Sequence, residues 1–163
     1  MKKYVSLLLS IVLIFTFFVV DINAVNEDDF IPYVVDFRLT SNIEEVGGDA
    51  NSTRATGLIN SYSLYLTKDG STLNITGQTH GSMEVVKSGF KDLVIQRRKT
   101  SDYDWEDYYV YGDLYIDAFI ANLNTTLIVP PNYQYRISCK HYAKKNWLMV
   151  QTIANTSNIV TTV

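Results

Sequence analysis

Cysteine is almost absent from this chain: Cys139 stands alone. One thiol closes no intramolecular disulfide, so the fold has to rest on core packing. No cysteine follows the N-terminal apolar run either, which removes any lipid-attachment site there. Histidine is nearly as scarce, with only His80 and His141 to supply an imidazole. No G-x-S-x-G elbow, H-E-x-x-H pair or phosphate-cradling glycine loop occurs, and nothing selects one Ser/His/Asp combination over another. A secreted hydrolase is therefore the weakest function class, and neither a cofactor nor a metal is expected. Positive charge is short too: 14 Lys and Arg against 17 Asp and Glu give a net charge of −3. That balance argues against nucleic acid as a partner. No stretch holds a long helical period, and no internal repeat is visible.

The N-terminus carries an address. Lys2 and Lys3 precede an apolar run from Val5 to Val20, and Ala24 offers a small residue for cleavage. Met1 to Ala24 reads as a secretory signal peptide, because the run of 16 residues is short for a membrane span of roughly 20. Ile22 occupies a position that prefers a small residue, so a membrane tether through an uncleaved signal is the alternative. Removing Lys2, Lys3 and Asp21 with the signal leaves 12 basic and 16 acidic residues, net −4, on a chain of 139, enough for one domain. Residues 25–56 follow as an acidic, glycine-bearing leader. Its pieces Glu27-Asp28-Asp29, Glu44-Glu45 and Gly47-Gly48 suit a flexible linker. Within it Tyr33, Val35, Phe37 and Leu39 alternate and could share one face of a strand. A loose segment is the expected state.

From Gly57 onward short strands alternate with turns, the pattern of an all-β sandwich or barrel. Leu58 to Thr67 is a first strand with Tyr62, Leu64 and Leu66 on one face. The Asp69-Gly70 pair signals a hairpin, and Thr72 to Thr79 returns with Leu73, Ile75 and Gly77 inward. Lys91–Lys99 and Asp107–Leu114 form the next pair. Tyr115–Leu123, Thr126–Val129 and a last strand drawn from "NWLMVQTIA" (146–154) complete about seven strands. The stretch "LIVPPNYQYRISCKHY" (127–142) is the most specific. Pro130-Pro131-Asn132 forces a corner, after which Tyr133, Tyr135, Ile137, Cys139 and His141 alternate on one face. This resembles the E–F corner of immunoglobulin-like and fibronectin-type sandwiches, where a tyrosine bonds back to the corner. Tyr133 or Tyr135 would fill that role.

Three pieces carry a wider resemblance: "INSYSLYLTKDGSTLNITGQTHGSMEVVKSGFKDLVIQRR", Trp105 after a short turn, and "VPPNYQYRISCKHYAK". Together they resemble a family of small secreted proteins of Gram-positive bacteria that share a domain of unknown function. The resemblance implies an immunoglobulin-like sandwich over residues 57–163, and secretion. It implies no catalytic or binding residues.

The stretch "TSDYDWEDYYVYGDLY" (100–115) concentrates five tyrosines, Trp105 and five carboxylates. Asp102, Asp104 and Glu106 alternate like the first ligands of a calcium loop, but Asp107 stands where that loop needs glycine. A solvated acidic hairpin tip is the better account. Alternation puts Tyr109, Tyr111 and Tyr115 on one face and Tyr108 and Val110 on the other. Rings left outside could stack on sugar, so Trp105, Tyr108, Tyr109 and Tyr111 form the candidate ligand surface, with cross-strand packing as their structural role. Arg98 and Lys140 would make a basic face, free for an anionic polymer or paired with the acidic hairpin. Cys139 and His141 share a strand face, and burial is the expected fate of the thiol. The expected function is thus a secreted, non-enzymatic module that binds a protein or cell-surface glycan. A structural or self-associating domain is the alternative.

Overall fold

The structure, a computed structural model, describes residues 30–41 and 53–163. The signal peptide expected over residues 1–24 and the acidic and glycine-rich part of the leader over 42–52 lie outside these residues. Ile31–Val163 forms one compact unit of antiparallel strands. These are β1 (Tyr33–Thr40), β2 (Thr53–Arg54), β3 (Ile59–Asp69), β4 (Thr72–Gly81), β5 (Lys87–Arg98), β6 (Glu106–Ile116), β7 (Ile120–Ile128), β8 (Gln134–Lys144), β9 (Val150–Thr156) and β10 (Val160–Thr161).

One sheet runs β1-β7-β4-β3-β2, and the other runs β6-β5-β8, with β9 and then β10 along the far edge of β8. Strands β3 to β9 take the places of fibronectin-type strands A, B, C, C′, E, F and G. This is an immunoglobulin-like sandwich. Leu64, Leu66, Leu73, Ile75, Leu123 and Leu127 from the first sheet meet Phe90, Leu93, Ile95, Tyr135 and Ile137 from the second in one core. The alternation of β8 is complete, with every second residue from Tyr135 to Ala143 buried. Gly77 sits inward under the Phe90 ring, where an added Cβ would lie 2.9 Å from a ring carbon. The β3–β4 loop is Gly70–Ser71, and Gly70 takes the positive φ (56°) such a two-residue turn demands.

The proline corner behaves as its sequence suggests. Tyr135 fills the tyrosine role: its hydroxyl donates to the Pro130 carbonyl at 3.0 Å, and Thr162 donates to the same oxygen at 3.0 Å. Tyr133 is also buried, but its hydroxyl finds no hydrogen-bond partner.

Three expectations need correction. The leader is not loose throughout, because Tyr33–Thr40 pairs along β7 and Thr53–Arg54 pairs with β3. The domain therefore begins near residue 31, not 57. A bulge at Val35 also breaks the alternation, so Val34 and Leu39 pack against the core while Tyr33 and Val35 are exposed, and the Phe37 ring, 42% exposed, stacks on Tyr111. Second, the two strands read over 115–129 divide elsewhere: β6 ends at Ile116, and β7 runs unbroken through Asn124-Thr125-Thr126. Those polar residues looked like a break, yet Thr125 is buried with its hydroxyl on the Asp36 carbonyl at 2.7 Å. Third, Asn146–Met149 belong to a turn, not to the last strand. The about seven strands expected after residue 57 are β3 to β9, and the leader strands β1 and β2 and the short β10 bring the described residues to ten.

Candidate functional site

The β5–β6 hairpin decides the fate of the candidate rings. Ile95 pairs with Tyr109 and Gln96 with Asp107, so Tyr108 is an extra residue, a bulge. It turns Tyr108 toward the core, where its ring meets Tyr135 edge-on at 5.9 Å. Tyr109 and Tyr111 pack against the same core, 4.8 Å apart, and Tyr111 stacks on Phe37 of β1 at 5.8 Å. The Tyr111 hydroxyl lies 3.1 Å from that of Thr125, and burial raises its pKa above the ordinary phenol value. These three tyrosines are thus committed to closing the sandwich at its β1/β6 side. Val110 alone of this run faces outward.

Trp105 goes the other way. Arg98 and Arg136 alternate with buried residues, so both project from the outer face of the second sheet. The ladder sets Gln96 beside Arg136 and Arg98 beside Gln134. The two guanidinium groups lie over the half-buried indole of Trp105, 4.4 and 4.3 Å from its centroid. Amide side chains hold them in place. Arg98 Nε donates to Gln134 Oε1 and Arg136 Nε to Gln96 Oε1, each at 2.8 Å. Gln96 in turn donates to Asp107 at 2.8 Å. Among the described residues neither arginine forms an ion pair, whereas Arg97 binds Glu106 at 2.6 Å and Lys140 binds Asp92 at 2.8 Å. Burial, and then the like charge of Arg98, hold the Arg136 pKa below the ordinary guanidinium value. The basic face thus divides: Lys140 is paired with a carboxylate, while Arg98 and Arg136 gather on an aromatic ring.

The hairpin carboxylates do not converge. Glu106 is on Arg97, Asp107 on Gln96, and Asp113 accepts from the Asp92 amide and the Tyr115 hydroxyl. Asp102 and Asp104 point into solvent. Among the described residues, no three His, Cys, Asp or Glu side chains group to hold a metal ion.

Cys139 and His141 meet inside the second sheet. The sulfur is 3.9 Å from His141 Nε2, which also lies 3.2 Å from the Asn155 amide nitrogen. Thr79 Oγ1 donates to the Gly89 carbonyl at 2.8 Å, so it accepts from His141 Nδ1, also at 2.8 Å. The imidazole is therefore neutral with its proton on Nδ1. Burial lowers its pKa to about 3 and pushes the Cys139 thiol up to about 12. A thiol so protonated, beside a ring that resists charge, lacks the thiolate that nucleophilic attack needs.

A second feature went unseen in the sequence. The β8–β9 turn, where Lys145 N–H bonds the Met149 carbonyl, presents Trp147, Leu148 and Met149 to solvent. In sequence, residues 146–154 read as the last strand. The signal that marks them as a turn is Asn146, whose side-chain oxygen accepts from the amides of Leu148 and Met149 at 2.9 Å each. No family model, curated protein or solved structure matches this chain.

Proposed function

We propose that the chain is a secreted, non-enzymatic β-sandwich module that binds an anionic cell-surface glycan, the outer face around Trp105 being its contact surface. The N-terminal signal pattern and the resemblance to secreted Gram-positive proteins support the compartment. The observation that carries the binding is the gathering of Arg98 and Arg136 on one indole without a carboxylate partner among the described residues. Their planar forks keep donors that amide oxygens only partly use, and these match carboxylate, phosphate or sulfate geometry. The indole beneath them holds the two forks together at 4.4 and 4.3 Å.

Binding of the protein to an array of neutral and anionic glycans tests this. Arg136→Gln is expected to weaken binding of anionic glycans about tenfold or more, the loss of one charge-assisted hydrogen bond. Trp105→Ala should abolish it, and both variants should keep a cooperative unfolding transition. Binding that is absent for every glycan, or unchanged in both variants, removes this reading in favour of a structural domain.

A further inference from the structure

Two loops meet at the end of the sandwich opposite the Trp105 hairpin. They are residues 82–86 between β4 and β5, and residues 145–149 between β8 and β9. Val86 N–H bonds the Lys144 carbonyl and the Lys145 ammonium reaches Glu84, so the loops are locked side by side. Together they expose Met83 (92%), Trp147 (81%), Leu148 (71%), Val86, Met149 and Val150. A core-sized apolar set left in water marks an interaction site. Side chains this bare are not shielding one another, so the surface is a convex tip. A convex tip does not bury itself against its own copy, and on a folded protein it would need a matching pocket. A lipid interface takes any convex apolar tip without shape matching.

The charges agree with that occupant. Lys87, Lys144 and Lys145 stand at the base of the loops, and the two carboxylates there, Glu84 and Asp117, are already bound to Lys145 and Lys87. Among the described residues named here this end thus carries one positive charge in excess, that of Lys144, on a chain whose net charge is −3. An indole and aliphatic chains inside a lysine collar are the composition of an interfacial membrane anchor. The turn is also built before contact, since Asn146 caps the Leu148 and Met149 amides, and little order has to be gained on docking. We infer that the joined 82–86 and 145–149 loops form a membrane-docking tip that seats Trp147, Leu148 and Met83 in the interface of an anionic lipid bilayer. This inference is independent of the glycan reading, because the two surfaces lie at opposite ends.

The chain holds two tryptophans, so the full chain carrying Trp105→Phe reports on Trp147 alone. Vesicles of phosphatidylcholine with phosphatidylglycerol, with or without bromine on the acyl chains, are the probe. The expected result is a blue-shifted Trp147 emission that brominated lipid quenches at least twofold, and weaker quenching with phosphatidylcholine alone. Met83→Ser with Leu148→Ser, which keeps the reporter, should cut the quenching severalfold. The N-terminal apolar run has no tryptophan, so its own affinity for lipid does not mimic this signal. Emission unshifted and unquenched, or quenching unchanged in the double variant, overturns the inference. Self-association abolished by Trp147→Ser in the absence of lipid overturns it in favour of a second copy.

Discussion

Around His141 every neighbour suits a neutral ring. Thr79 accepts its proton, Asn155 donates to the other nitrogen, and the Tyr62 and Phe90 rings close in at 4.9 and 5.4 Å. Thr79 belongs to one sheet and His141 to the other, so this bond ties strands β4 and β8, the pair that disulfide-bonded sandwiches join by a cystine. Protonation would fall on Nε2, setting two donors against each other at Asn155 and charging a buried ring, and the sign of the pH effect follows. The folded pKa lies below the ordinary 6.5, so the unfolded chain binds the proton more readily. Stability is full above about 6.5 and falls as pH drops toward 3, by up to about 1.4 kcal/mol per pH unit. Urea unfolding at pH 7.0, 6.0 and 5.0 checks this, and His141→Gln should flatten the slope above the carboxylate range. Beside it Cys139, 3% exposed, should resist a thiol reagent in the native protein and label fully once unfolded. Rapid native labelling would reverse the register of β8, since a slip of one residue exchanges its faces.

At the scale of elements, β1 is the strand whose role was hardest to read. Its surroundings in sequence are acidic and glycine-bearing, and a bulge scrambles its alternation, so local pattern alone favoured a loose chain. What orders it is distant: the open edge of β7, the core that Val34 and Leu39 pack against, and the Tyr111 ring on which Phe37 stacks. Strand β7 was misread for a related reason, because the fate of Asn124-Thr125-Thr126 depends on partners on both sides. A chain beginning at Thr53 loses the half-buried Val34 and Leu39, the Phe37 stack on Tyr111 and a ladder, about 2–4 kcal/mol. Its melting temperature should fall by roughly 10 °C. A drop of only one or two degrees would show that β1 adds nothing to the sandwich. Phe37→Ala in the full chain should reproduce part of the loss, since it removes the stack on Tyr111 and leaves the ladder intact.

For the whole molecule, the features legible in the sequence were those fixed by local chemistry. The strand β8 alternation, the Gly70 hairpin and the proline corner needed no knowledge of the fold. The aromatic hairpin showed the opposite limit. Trp105 lies half-buried under Arg98 and Arg136 on the outer face, whereas Tyr108, Tyr109 and Tyr111 turned to the core through a bulge that composition does not announce. The alternation of β8 sets Arg136 on its outer face, yet its meeting with Arg98 over Trp105 required the pairing of β5 with β8. The exposed turn at Trp147 was hidden because an apolar run reads as strand until its Asx turn is seen. Two-dimensional NMR of the labelled protein during titration with an anionic oligosaccharide puts the binding claim to the most direct test. The account predicts shifts concentrated in the Trp105 indole N–H and the Nε–H groups of Arg98 and Arg136, with the Trp147 indole unmoved. Shifts centred on Trp147, or spread without focus while those three stay fixed, would contradict it.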